Sequence, residues 1–326
     1  MKTEQIMGSV RLGRTGQNIT PIGLGTWPFS GPRKVGRLEV GWSGHDDGRA
    51  RNALERAWQL GINHWDTADT YGDGRAEAII GSIWDRVPRD EIFLASKVGW
   101  DPGAYKHFYH PELIAARIER SLKLLQTDRL DLYYLHHCDF GADDRFLDEA
   151  IQLVRRFRNE GKIRFLGLSD WSSEKVARLL ERVDPDVVQI YRNVIDDTYA
   201  SSGLKAKVER RDLGVVFFST IKHGLLLGKY KEPTRFEKGD MRNRIAEFRD
   251  PQALARFENN RRAIEKRFPD QPEALLRSLV GTLLEDSAGA CVILGQRGPE
   301  QAEAAAAAGE PLDSEDARWV RELYRR

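Results

Sequence analysis

The sequence predicts an α/β fold, a (β/α)8 barrel of the TIM type. Three observations point there. Short β-branched, apolar runs recur eight times along the 326 residues. Helical patterns lie between them, the alternation that builds a parallel sheet. Polar residues stand at the same end of every run, where a barrel of this kind keeps its chemistry and where packing alone does not require them.

The elements follow in order. The turn-like stretch GRTGQN (13–18), between 10–12 and Ile19, predicts a short N-terminal β-hairpin plugging the barrel floor. Strand patterns follow, faintly at ITPIGLG (19–25), then at INHWDT (62–67), EIFLASKV (91–98) and LDLYYLH (130–136). They continue at IRFLGLS (163–169), DVVQIY (186–191), GVVFFS (214–219) and ACVILG (290–295).

Three of the intervening segments show clear helical signals. In 49–60, Ala50, Ala53, Leu54 and Ala57 share a face, and Asp46 or Asp47 caps the start. In 111–125, Pro111 suits the first turn, and Ile114, Ile118, Leu122 and Leu125 form a stripe. In 299–308, Pro299 opens a helix that Gly309 and Pro311 close, so the alanine run 304–308 is helix rather than a low-complexity tail. The charged stretch 220–270 is a long loop after strand seven, with one helical pattern at 251–268. Loops of that length commonly act as lids or binding segments. No linker or repeat interrupts the chain, so a single barrel domain over 1–326 is expected.

Composition narrows the function. With 51 Lys plus Arg against 50 Asp plus Glu, the net charge is +1, which gives no bulk electrostatic case for nucleic acid or an acidic membrane. Cys138 and Cys291 are the only cysteines and form no disulfide framework, which fits a reducing compartment. No stretch approaches the ~20 apolar residues of a membrane span. The start, MKTEQIMGSV, lacks the apolar centre of a signal peptide. A cytoplasmic protein is expected.

The stretch DLYYLHHCD (131–139) sets two histidines, a cysteine and an aspartate side by side, which suggests zinc. Strand geometry argues otherwise, since adjacent residues point to opposite faces and His136 and His137 cannot easily share a metal. No metal is expected. Asp66, Tyr71, Lys97 and His136 fall at or just after three successive strand ends and make a better constellation. A tyrosine of pKa ~10 is a poor acid at neutral pH unless its phenolate is stabilised. A nearby lysine does that through charge, an aspartate holds the lysine, and a histidine donates to the same substrate oxygen. Singly, Asp66 reads as a helix cap, Lys97 as a surface lysine and Tyr71 as packing. Jointly they make a proton-donating pocket for a carbonyl undergoing reduction.

WDTADTYGDGRAEAIIG (65–81), LASKVG (94–99) and LDLYYLHH (130–137) resemble the aldo-keto reductases. GLSDWS (167–172), GLLLGKY (224–230) and VILGQRGPEQ (292–301) resemble that family's cofactor segments, so the likeness runs in order from Leu24 to Gln301. The resemblance implies NADP(H) held without a Rossmann domain, and indeed no strand is followed by a full G-x-G-x-x-G. It implies that Tyr71 protonates the carbonyl oxygen, that Lys97 and Asp66 tune Tyr71, and that His136 orients the substrate. It places Ser169, Asp170 and Gln189 at the carboxamide, and Gly25, Thr26 and Trp27 beside the cofactor. Ser219, Thr220, Ile221, Gly224 and Lys229 would wrap the pyrophosphate, and Gly295, Arg297 and Gln301 the adenosine end. Arg297 would meet the 2′-phosphate, an anion that suits a guanidinium fork. Trp27, Trp100 and His137 would line the substrate site.

Three departures from the family pattern carry expectations. Arg192 stands where an aromatic ring usually stacks on the nicotinamide, so it would favour the reduced ring, unless Tyr191 stacks in its place. Asp170 replaces a common asparagine and would add negative charge near the carboxamide. Thr220 and Ala305 replace a common proline and a common adenine-contacting asparagine. The expected substrate is a small aldehyde or ketone, read by loops 28–45, 100–110, 137–145 and 220–250. Phe29, Trp100, Phe140 and Phe248 suggest aromatic walls, whereas Arg33, Lys34 and Lys222 suggest a carboxylated or sugar-like substrate. Two rival readings are a nucleotide-binding regulatory subunit of the same fold and a barrel hydrolase using Asp66 and Glu77.

Overall fold

A computed structural model of the chain describes residues 8–325. Eight parallel strands close into a barrel in sequence order. They are β1 (Ile22–Gly25), β2 (His64–Asp66), β3 (Phe93–Val98), β4 (Leu130–Leu135), β5 (Ile163–Asp170), β6 (Val187–Tyr191), β7 (Gly214–Phe218) and β8 (Cys291–Gly295). Closure runs through β8 and β1, where Val292 pairs with Ile22 and Gly295 with Gly25.

The alternation of β4 shows how the barrel is filled. Leu132 and Tyr134 point inward, into a cluster with Ala95, Val187, Val216, Cys291 and Ile293. Tyr133 and Leu135 point outward into the larger core beneath the helices. The inward Tyr134 needs room, which Gly167 on β5 supplies; a Cβ there would lie 2.1 Å from the Tyr134 ring. The expected hairpin is present, 10–11 pairing antiparallel with 18–19. Its Leu12 and Ile19 plug the barrel interior, and Arg11 bonds Asp212, just before β7, at 2.8 and 2.6 Å. That fixes the hairpin at the end where strands begin.

Helices cover the barrel: α1 (Asp47–Gln59), α2 (Arg75–Gly81), α3 (Pro111–Leu125), α4 (Leu147–Asn159), α5 (Ser173–Val183) and α6 (Leu204–Arg210). After β7 come α7 (Pro251–Arg267) and α8 (Ala274–Glu285), and after β8 come α9 (Pro299–Ala306) and α10 (Ser314–Arg325). Asp46 caps α1, accepting from the Arg49 amide at 2.8 Å. The sequence signals missed α8, because Leu276 and the run 278–284 are all buried and leave no polar stripe to set a period. With α7 and α10, α8 encloses a second core around Leu226, Phe248, Phe257, Leu279 and Tyr324.

The two longest top loops interlock. A small antiparallel pair, 34–35 with 38–39, stiffens the loop after β1. The loop after β7 crosses it at Gly41 and Asp240. Gly41 donates to the Gly239 carbonyl at 3.0 Å and accepts from Met241 at 3.0 Å. The buried Asp240 carboxylate takes bonds from the Ser43 amide (2.7 Å) and hydroxyl (2.6 Å) and from Arg242 (2.6 Å). These contacts roof a cavity over the strand ends.

Candidate active site

The cavity measures about 490 Å³. At its floor, Lys97 donates to Asp66 Oδ1 at 2.5 Å, to the Thr67 carbonyl at 2.7 Å and to the Tyr71 hydroxyl at 3.4 Å. Gln189 donates to the other Asp66 oxygen at 2.8 Å, so this carboxylate is held from β3 and β6 together. The His136 ring lies edge-on to Tyr71 with centroids 5.9 Å apart. Trp27 stacks on the other side of Tyr71 at 5.9 Å. Strand ends therefore bring together four groups spread over 71 positions of sequence, from Asp66 to His136.

Burial sets the charges. It pushes the Tyr71 phenol well above its usual range, with Asp66 and Asp69 adding to it, so Tyr71 is a neutral donor. Burial lowers the Lys97 ammonium, and Asp66 opposes that by contact. Burial and then Lys97 hold His136 well below its usual range, so its imidazole is neutral. His136 Nδ1 has no hydrogen-bond partner among the described residues.

The opposite part of the cavity is cationic. Lys229 and Arg297 both line it, and neither has a carboxylate partner among the described residues. Burial lowers both, and neighbouring arginines add to it, Arg297 and Arg242 at Lys229 and Arg242 at Arg297. Two cations without carboxylate partners in one cleft fit an anionic group such as a cofactor phosphate. The backbone just before Lys229 is unusual, since Ser219, Lys222, His223 and Gly224 all have positive φ. Only at Gly224 does that come without the Cβ penalty.

Gly25, Trp27, Ser169, Gln189, Tyr191, Ser219, Thr220, Ile221, Gly224, Lys229, Gly295, Arg297, Gln301 and Trp100 line this cavity with Asp66, Tyr71 and His136, while Lys97 is buried beneath the floor and reaches it through Tyr71. Four residues expected to touch cofactor or substrate do not. Arg192 turns away into a buried pocket, where it bonds Asp197, Asp286 and Ser287. The expectation that it lies on the ring is corrected, and Tyr191 faces the cavity in its place, its hydroxyl on Asp196 at 2.9 Å. Asp170 spends both oxygens on the Cys138 and Ser172 amides, at 2.7 and 2.8 Å, so its charge is directed into backbone. Thr26 is buried and bonds the Asp66 carbonyl. His137 is packed on Phe108, with centroids 4.3 Å apart, rather than lining the rim.

The substrate-loop expectations change too. Phe29, Phe140 and Phe248 are core residues, and Trp100 alone of that set lines the cavity. Arg33 is neutralised by Asp101, Lys34 by Glu39, and Lys222 by Asp196 and Glu247. Glu77 is buried on Ser96, away from the cavity. Trp42, Met241, Arg244 and His223, all lining residues, fall in the expected loops 28–45 and 220–250, but the sequence singled out none of them for the site. His223 sits among Trp27, Trp42 and Trp171, at 5.6, 5.8 and 6.0 Å. These four come from irregular loops, where no periodicity marks a face.

Among the described residues no three His, Cys, Asp or Glu side chains are grouped to hold a metal, and no helix is long and apolar enough to cross a membrane.

A closed parallel barrel with a polar cavity at its strand ends is a common enzyme scaffold. Residues 21–325 match the family model described as the aldo/keto reductase family. The chain belongs to that family, whose members are oxidoreductases. It is 28% identical over 309 residues to an aldo-keto reductase of Bacillus subtilis, YhdN, covering 93% of this chain and 89% of that one. It is 27% identical to an NADH-specific methylglyoxal reductase of Escherichia coli K12, covering 68% and 70%. Among solved structures it resembles a glycerol dehydrogenase of Gluconobacter oxydans, with TM-score 0.79, 24% identity and coverage of 97% and 94%. An aldo-keto reductase of Bacillus halodurans superposes with TM-score 0.73 at 22% identity over 98% of this chain and all of that one.

Proposed function

We propose that the protein reduces a small aldehyde or ketone to an alcohol with NADP(H), using Tyr71 as the proton donor. One observation carries the reading. The Asp66–Lys97–Tyr71 chain and His136 stand at the floor of the same cavity that holds the unpaired cations Lys229 and Arg297.

Each residue has a physical part. Tyr71, neutral because it is buried, donates its hydroxyl proton to the developing alkoxide. Lys97, 3.4 Å away, stabilises the phenolate left behind. Asp66 holds Lys97 in position and offsets part of the cost of burying it. The neutral His136 has one N–H with which to orient the carbonyl oxygen. Trp27 and Trp100 shield the reacting centre from water. When bound, the nicotinamide supplies the hydride. Ser169 and Tyr191 would offer the ring a polar contact and a flat face, while Lys229 and Arg297 would hold the cofactor's phosphates. One relative is named NADH-specific, so cofactor choice differs among similar proteins; in this chain the contacts around Arg297 would decide it.

The reading rests on two measurable steps. Tryptophan fluorescence should report NADPH binding to the purified chain, and absorbance should report its consumption with simple aldehydes. Binding without turnover across a broad carbonyl panel would favour the regulatory reading.

A further inference from the structure

A second cavity, of about 100 Å³, opens beside Arg297 and is bounded by Gly44, Asp46, Arg49, Arg297, Glu300 and Gln301. It shares Arg297 and Gln301 with the main cavity, so the two meet at those side chains. Its size suits one phosphate group, not a ring system.

Its charges are specific. Arg49, in the first turn of α1, is paired through Nη2 with Glu300, in the first turn of α9. The two side chains are 56% and 59% exposed, so the pair is held weakly and either partner can be exchanged. Gly298 makes the arrangement possible, because a Cβ there would stand 2.5 Å from Arg49 Nη2 and 2.6 Å from Glu300 Oε2. Arg297 reaches the same space with only the Ser43 and Gly44 carbonyls as acceptors, at 3.3 and 3.4 Å. The other nearby carboxylates are already engaged. Asp46 caps α1, and Asp47 holds Arg75 at 2.7 Å.

We infer that Arg49 is a second ligand for the cofactor's 2′-phosphate, and that Glu300 is the carboxylate it exchanges for that phosphate, so the pair tunes the choice between NADPH and NADH. The inference rests on the cofactor reading above. With NADPH, Arg49 turns from Glu300 to the phosphate and joins Arg297. The freed Glu300 is exposed, so it re-solvates at little cost, although its charge still opposes the phosphate. With NADH there is no anion at the 2′ position, and the pair stays closed.

The test is fluorescence titration of NADPH and NADH against wild type, Arg49→Ala, Glu300→Gln and the double variant. Competition by adenosine 2′,5′-bisphosphate and by adenosine 5′-monophosphate gives a readout independent of turnover. Arg49→Ala should raise the NADPH Kd roughly five- to tenfold, as the loss of one charge-assisted contact does, and leave NADH within about twofold. Glu300→Gln should lower the NADPH Kd roughly threefold and leave NADH unmoved. Equal shifts for both cofactors, or none for either, in a wild type that binds NADPH would overturn the exchange and leave the cofactor reading intact. Wild type that binds NADH alone would also overturn it. Failure to bind either cofactor would overturn both.

Discussion

The Arg192 guanidinium grips the Asp286 carboxylate through two bonds, 2.9 Å from Nη1 to Oδ1 and 2.7 Å from Nη2 to Oδ2. A second fork reaches Asp197 at 3.0 and 2.8 Å. Burial works against the Arg192 charge, and Asp286 and Asp197 more than offset it. The residue thus ties the segment after β6 to the end of α8 and leaves the cavity wall to Tyr191.

This geometry predicts a stability effect with no redox signature. Arg192→Met strands two partly buried carboxylates, and breaking such a pair typically costs ~3 kcal/mol or more. The urea midpoint should fall accordingly. The ratio of NADPH to NADP+ affinity should not move, because the guanidinium does not face the nicotinamide. A changed ratio with unchanged stability would place Arg192 back on the ring.

Tyr71→Phe keeps the ring against Trp27 and removes the proton donor. Carbonyl reduction should drop by the ~10²–10⁴-fold typical of lost general-acid catalysis, with cofactor affinity nearly unchanged. Activity near wild type, measured in single turnover, would remove Tyr71 from the chemistry.

Arg297→Ala should weaken NADPH by roughly one to two decades and NADH far less, since a charge-assisted bond is worth ~1.5–3 kcal/mol. Equal losses for the two cofactors would make Arg297 a structural residue.

Asp69 predicts a pH effect on stability. Burial is the main cause pushing its carboxyl up to about 7, with Glu77 and Asp101 adding and Arg117 opposing. Its Oδ1 has no hydrogen-bond partner among the described residues. The folded state therefore binds the proton more tightly than the unfolded chain, where an aspartate titrates near ~3.9. The resulting stability is full below about pH 4, falls as pH rises toward about 7, and is then lost, by ~4 kcal/mol as an upper bound. Asp69→Asn stays neutral throughout, so it should flatten that decline. Urea unfolding of both proteins at about pH 5 and about pH 8 reads the difference, and parallel pH profiles would contradict it.

The barrel was legible because its elements carry local signals. The stripe at Ile114, Ile118, Leu122 and Leu125 and the Asp46 cap each follow from a few adjacent residues, and both stand as expected. The segment 274–285 carries no such signal. It is buried on nearly all sides, and a helix without a polar face shows no period. The cavity walls at Trp42, Met241 and His223 were legible only as parts of the loops 28–45 and 220–250, since loop residues gain a common face only when distant segments meet.

The sequence by itself determined the strand order, the hairpin and the strand-end positions of Asp66, Lys97 and His136, because alternation along a strand fixes which side chains point inward. Tertiary structure alone decided Arg192. Nothing near Tyr191 in sequence announces Asp286, which lies 94 positions from Arg192, just past the end of α8. A guanidinium that can be buried only with partners takes the carboxylates the fold provides. The packing of α8 against the barrel provides them, and so directs Arg192 away from the cavity and leaves Tyr191 facing it.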